Sequence, residues 1–240
     1  MVILKCKDLV KRFGGIRALS NLTFEVNDDE IFGIIGPNGS GKTTLFNVIT
    51  GVYRPDAGSI EYKGRSIVGL SPHEISRMGI IRAYQIPRPF TRLTILENCV
   101  VAALSTQKIS YNEAVKYSLE ALELLKLGDL INVPAGSLLP FQLKRLEMAR
   151  ALACRPKLLL LDEPAAGMRK EEISYLAELI DKIFNEGTKI ILVEHRMELI
   201  TRVAKRVMVM YRGTKLFEGE PKEVLSAPEV IEAYLGEGIK

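Results

Sequence analysis

The chain has 240 residues, enough for one large or two small domains whose core needs no disulfide or metal staple. Lys and Arg number 33 against 29 Asp and Glu, and the resulting +4 is too mild a charge for a polyanion-binding protein. With 47% hydrophobic and 26% charged residues the composition excludes disorder, and no stretch reaches the ~18 charge-free apolar residues of a spanning helix.

The first 35 residues read as strands, among them alternating Thr23 to Val26 and the continuous apolar run Ile31 to Ile35 of a buried strand. A Gly-rich loop follows, then a helix from about Lys42 to Thr50 closed by Gly51. Pro55, Gly58, Gly64 and Gly69 mark turns between short strands. From residue 86 to 153 the pattern is helical. The longest apolar run there, Asn98 to Gln107, is bounded by Glu97 and Lys108. Ser110-x-x-Glu113 opens a helix to about Leu127, with Ala114, Val115, Leu119, Leu122 and Leu125 on its apolar face. A second helix spans about Gln142 to Cys154. Beyond it, Leu158 to Leu161 and Ile190 to Val193 read as buried strands. They flank a helix with Ile173, Leu176, Ala177, Ile180 and Ile183 on one face. Val207 to Tyr211 and Lys215 to Gly219 form a hairpin around Arg212-Gly213. Such alternation predicts an α/β fold with a mostly parallel sheet, antiparallel β elements at the N-terminus and an inserted helical subdomain. The expected division is a core of residues 1–85 and 155–240, with the helical subdomain at 86–154. Cys6, Cys99 and Cys154 are widely spaced and odd in number, which predicts buried, inert thiols. The N-terminal MVILKCKD carries no signal-peptide pattern.

Gly36-Pro37-Asn38-Gly39-Ser40-Gly41-Lys42-Thr43-Thr44 fits G-x-x-x-x-G-K-[ST] between a predicted strand and a predicted helix. Its glycines let backbone N–H groups wrap a phosphate chain, and the helix start adds partial positive charge. Lys42 is placed to reach the β- and γ-phosphates, and the Thr43 hydroxyl to hold Mg²⁺. Leu158 to Leu161 ends in Asp162-Glu163, at the carboxyl end of a strand where ligands of open α/β sheets sit. Asp162 is placed to hold Mg²⁺ through water, and Glu163 to take a proton from an attacking water. His195, after the next buried strand, is read as a γ-phosphate contact; His73 is read as a surface residue.

With these motifs, Gln85 in RAYQIPRPF and the stretches KRFGGIRAL, LTILEN, KRLEMARAL, DEPAAG and APEVIEAYLGEG, the sequence resembles the ATPase subunits of ABC transporters. It is most similar to those of branched-chain amino-acid importers. The resemblance covers nearly the whole chain. It implies a P-loop ATPase of ABC type with a RecA-like core, using ATP and Mg²⁺ to drive an importer for branched-chain or other hydrophobic amino acids. Further implications concern single residues. Phe13 stacks on adenine, Gln85 senses Mg²⁺ and water beside the groove for the membrane subunit, and His195 is the switch histidine. Transmembrane permease subunits, a second ATPase subunit and, indirectly, an extracytoplasmic binding protein are the implied partners, with no nucleic acid. The implied location is peripheral, on the cytoplasmic face of the membrane. Two rival readings are an ATP-gated clamp with little hydrolysis and a soluble ABC-type ATPase acting on nucleic acid. No Asn is followed by Lys, so the N-K-x-D motif of a switch GTPase is absent.

The sequence departs from the family at the LSGGQ signature, which completes the opposite subunit's nucleotide site. Here the residues are Leu138-Leu139-Pro140-Phe141-Gln142. Without a gap, Leu139 replaces the serine, and Pro140 and Phe141 replace both glycines; a one-residue loss from an LPFGQ-type signature is the alternative. Either way no glycine remains. This predicts weak turnover as a homodimer and favours a heterodimer whose partner carries an intact LSGGQ, with a homodimer as the alternative. Arg169 is a smaller departure, standing where the family's D-loop often has an acidic residue or asparagine.

Overall fold

The computed structural model describes residues 1–235, so Gly236 to Gly238 of the tail stretch lie outside the described residues. The chain packs as two compact units, Met1–Ile75 with Lys189 onward, and Ser76–Thr188.

The first unit opens with two strands of twelve residues, β1 (Val2–Phe13) and β2 (Ile16–Asn27), much longer than the alternating tetrapeptide at Thr23 to Val26 suggests. They pair antiparallel with several register shifts, and these bulges blur the period-two pattern in the sequence. With β4 (Ala57–Tyr62) and β5 (Arg65–Ser66) they form a four-stranded antiparallel sheet in the order β2-β1-β4-β5. Strand β3 (Ile31–Ile35) is buried along its whole length, as a central parallel strand requires. It lies between β8 (Lys189–Val193) and β9 (Arg206–Tyr211), parallel to both, and β10 (Thr214–Gly219) pairs antiparallel with β9. Helix α1 (Lys42–Ile49) follows β3, and α7 (Met197–Val203) follows β8. Short α8 (Pro221–Ser226) and α9 (Pro228–Leu235) close the described chain.

Chain order leads through α2 (Pro72–Arg77) to the second unit. There β6 (Ile80–Ala83) pairs parallel with β7 (Leu158–Asp162), Ile80 opposite Leu158 and Ala83 opposite Leu161. The β6 strand has no counterpart among the predicted elements. Between the two strands run α3 (Ile95–Thr106), α4 (Tyr111–Leu124) and α5 (Pro140–Ala153), with 3-10 turns at Gly128–Leu130 and Ala135–Ser137. Thr94 and Ser110 cap α3 and α4. In each case the side-chain oxygen accepts from the N–H three residues on, and Glu97 or Glu113 accepts from the cap's own N–H. Helix α4 stops at Leu124, short of the expected Leu127. Lys126 turns to φ +52°, and the Leu127 N–H donates back to Leu122 O at 2.8 Å. Leu119, expected on the buried face, is 40% exposed. Helix α5 begins two residues before the expected Gln142, because proline is well suited to a first helical position. Helix α6 (Lys170–Asn185) buries Ile173, Leu176, Ala177, Ile180 and Ile183, the expected face, together with Leu179.

All three cysteines are free and buried; burial pushes the Cys99 thiol up to about 12 and raises Cys6 and Cys154 as well, so they are inert. Among the described residues no helix is long and apolar enough to cross a membrane.

Candidate nucleotide and catalytic site

The phosphate loop joins the buried end of β3 to α1, and two of its glycines are sterically obligatory. Gly36 has φ +150°, and a Cβ there would meet Met210 O at 2.2 Å. Gly41, the N-cap of α1, has φ +105°, and its Cβ would lie 2.5 Å from Ala18 O. The loop is pinned from outside by the Gly213 N–H, which donates to Ser40 O at 2.9 Å. Lys42 is only 5% exposed. Its Nζ donates to Gly36 O at 2.7 Å, Pro37 O at 2.8 Å and Ser40 Oγ at 3.2 Å. Three acceptors of the loop itself thus hold the buried ammonium. Asn38 and Gly39 are exposed, and so is Thr43; Thr44 is half-buried. The first turn of α1 carries no acidic residue, so helix dipole and lysine both favour an anion.

Elsewhere in the first unit, Phe13 ends β1 with its ring 41% exposed. The ring is held edge-on by Tyr53, with centroids 5.0 Å apart, and Lys11 Nζ lies 5.5 Å from its centroid. One aromatic is therefore braced at the surface. His195 follows β8 and is half-buried. The preceding Glu194, 1% exposed, uses Oε2 to accept from the N–H groups of His195 at 2.9 Å and Arg196 at 3.0 Å. Sequence reasoning passed over Glu194, whose carboxylate folds back on the two N–H groups that follow it, ahead of α7. His73 is exposed, as expected.

The second unit brings Gln85 and Glu163 together: Gln85 Nε2 donates to Glu163 Oε2 at 2.5 Å. Their 78-residue separation equals the β6–β7 offset, and the contact lies just beyond the last ladder pair, Ala83 with Leu161. Glu163 itself has φ +46°, which turns its side chain out of the strand line. Asp162 is 5% exposed and forms an ion pair with Arg82 Nη2. Arg82 was missed in the sequence; an arginine inside a short apolar run gives no sign that its partner lies 80 residues away.

At the start of α5, Leu139 is the N-cap and has no side-chain oxygen to offer. Gln142 Oε1 accepts from the Leu139 N–H at 2.9 Å, so half of a capping box is present. Pro140, the first helical residue, has no N–H. Phe141 is half-buried, with the Arg145 guanidinium 5.4 Å from its ring centroid. Where the resemblance calls for a serine and two glycines, this helix start presents an apolar surface.

Residues 19–166 match the ABC transporter family model. The chain belongs to the ABC transporter family. Residues 214–240 also match the model described as branched-chain amino acid ATP-binding cassette transporter. The chain is 38% identical to the high-affinity branched-chain amino acid transport ATP-binding protein BraF of Pseudomonas aeruginosa, over 98% of both chains. It is equally 38% identical to LivG of Escherichia coli, again over 98% of both. Among solved structures, the ADP conformation of the ATP-binding cassette MJ1267 superposes with a TM-score of 0.90 at 34% identity, covering 98% of this chain and 99% of that one. The dimeric MJ0796 cassette in a post-hydrolysis state, bound to ADP and Pi, gives 0.83 at 25% identity over 91% and 99%. This chain is therefore an α/β P-loop cassette, a nucleotide-binding ATPase subunit of a transporter.

Proposed function

We propose that this chain hydrolyses Mg²⁺-ATP to power import of branched-chain or related hydrophobic amino acids. The contact that supports this reading most is Gln85 against Glu163, because it sets an amide beside a carboxylate able to receive a proton from water. Phe13 stacks the base, and the N–H groups of Gly36 to Thr44 with Lys42 hold the phosphates. Glu163 takes the proton of the attacking water, and His195 contacts the γ-phosphate. Catalysis of this kind is mostly positioning and charge stabilisation. In this reading the Thr43 hydroxyl, the Gln85 amide oxygen and the Asp162 carboxylate each offer oxygen, the donor chemistry that suits a hard divalent cation. Bound there, Mg²⁺ would neutralise charge on the β- and γ-phosphate oxygens.

Residues 86–154 serve in this reading as the helical subdomain that meets permease subunits, on the cytoplasmic face of the membrane. The names of BraF and LivG support the cargo class, and the extracytoplasmic binding protein follows from it. The start of α5 supports a heterodimer in which the partner supplies LSGGQ to this chain's phosphate loop. The same helix start favours a second reading, an ATP-gated clamp with little hydrolysis. Glu163→Gln separates the two. A motor keeps ATP-dependent dimerisation in light scattering and loses phosphate release, whereas an unaltered release rate refutes Glu163 as base.

A further inference from the structure

The scheme above uses Asp162 but gives no role to its partner Arg82, and the surroundings of the pair are unusual. Both side chains are about as buried as the core, 4% and 5% exposed. The β6–β7 register dictates their meeting. Arg82 lies opposite Leu160, and Asp162 is two residues further on, on the same face. A buried carboxylate needs a compensating charge, and Arg82 supplies a permanent one. The guanidinium is also anchored independently: its central carbon lies 4.6 Å from the centroid of the Tyr84 ring, which is 49% exposed. Cation–π contact of this kind would hold Arg82 in place even if Asp162 turned toward another cation.

We propose that Arg82 is a positioning residue that keeps Asp162 neutralised until metal arrives with nucleotide, and so sets a low affinity for divalent cation in the nucleotide-free protein. The proposal rests on the reading of Asp162 as the metal carboxylate. A fixed cation bonded to Asp162 Oδ2 repels an incoming divalent ion and occupies one of its oxygens. Phosphate oxygens bring the extra negative charge that overcomes this repulsion, so metal and nucleotide bind together.

The test is a titration of the full chain with Mn²⁺, followed by electron paramagnetic resonance, with and without a non-hydrolysable ATP analogue. Without nucleotide, Arg82→Gln, which keeps a donor for Asp162 but no charge, should tighten Mn²⁺ binding about tenfold or more, an effect well within reach of one unit charge at close range. Arg82→Lys should remain near the wild type, because charge is retained. Adding Asp162→Asn to Arg82→Gln should abolish the gain. A merely structural arginine predicts equal or weaker Mn²⁺ binding in Arg82→Gln, and that result overturns the proposal. Asp162→Asn alone checks the underlying reading separately. Unchanged Mn²⁺ binding in the presence of the analogue would show that Asp162 is not the metal carboxylate, and both ideas would fall. Arg82→Met extends the series if it folds; the glutamine and lysine variants decide the matter without it.

Discussion

Rebuilding the start of α5 as Leu139→Ser, Pro140→Gly and Phe141→Gly should raise ATP turnover by the homodimer while lowering its stability. The stability cost comes from several small effects. Phe141 is half-buried and lies near the Arg145 guanidinium, contacts worth about 1 to 2 kcal/mol together. Two new glycines at the helix start cost about another 1 kcal/mol in chain entropy. A serine N-cap returns about 1 kcal/mol, and Leu139 is 66% exposed, so its loss costs little. The net loss is about 1 to 2 kcal/mol. For the phosphate of an opposing subunit the balance reverses. The first helical position regains an N–H, the cap gains a hydroxyl, and the bulk of the Phe141 side chain is removed. A single hydrogen bond to a charged group contributes about 1.5 kcal/mol at the low end, which is about tenfold in rate. Steady-state phosphate release by purified homodimer, alongside a denaturant melt, reads both effects. A variant that is folded but turns over no faster than the parent would show that this helix start does not limit the reaction.

Asn98 organises the loop before α3. Its side chain accepts from the Phe90 N–H at 2.8 Å and donates to the carbonyls of Phe90, Leu93 and Thr94. Asn98→Ala strands the Phe90 N–H, whereas the carbonyls of Phe90, Leu93 and Thr94 keep the backbone N–H groups of Leu93, Ala135 and residue 98, so chemical unfolding should show a loss of about 1 to 3 kcal/mol; a loss under about 0.5 kcal/mol would contradict this account. Glu147 carries a raised pKa, chiefly from burial, with Arg150 opposing. Its contribution to stability is greatest below the unfolded-state pKa, about 4.3, and falls as pH rises through the folded-state value. Relative to Glu147→Gln, the wild type should therefore lose ground in urea midpoint as pH rises above about 4, and a difference independent of pH would count against it.

The phosphate loop, β7, β8 and the hairpin of β9 with β10 were legible because continuous apolar runs and glycine spacing are local signals. What stayed hidden depends on partners distant in sequence. Strand β6 holds Arg82, whose burial is tolerable only beside Asp162. Helix α3 gave no clear period, since residues such as Val101 and Leu104 are apolar yet exposed. The α4 boundary turned on one left-handed lysine, a conformation that sequence does not announce. Of the proposed site residues, Lys42, Asp162 and Glu163 were singled out by spacing and strand ends, whereas Phe13 and Gln85 needed a family resemblance. Bracing of Phe13 by Tyr53 and the bonds of Glu194 to the N–H groups of His195 and Arg196 emerged only in three dimensions.

One ladder aligns both Arg82 with Asp162 and Gln85 with Glu163, and the chain between its two strands comprises α3, α4 and α5. Those helices can therefore change length or be exchanged for others, while the ladder keeps the four side chains in step. A single residue added inside β6 or β7 would put both pairs out of phase at once. Substitution can reshape those helices far more freely than it can edit the nine residues of these two strands.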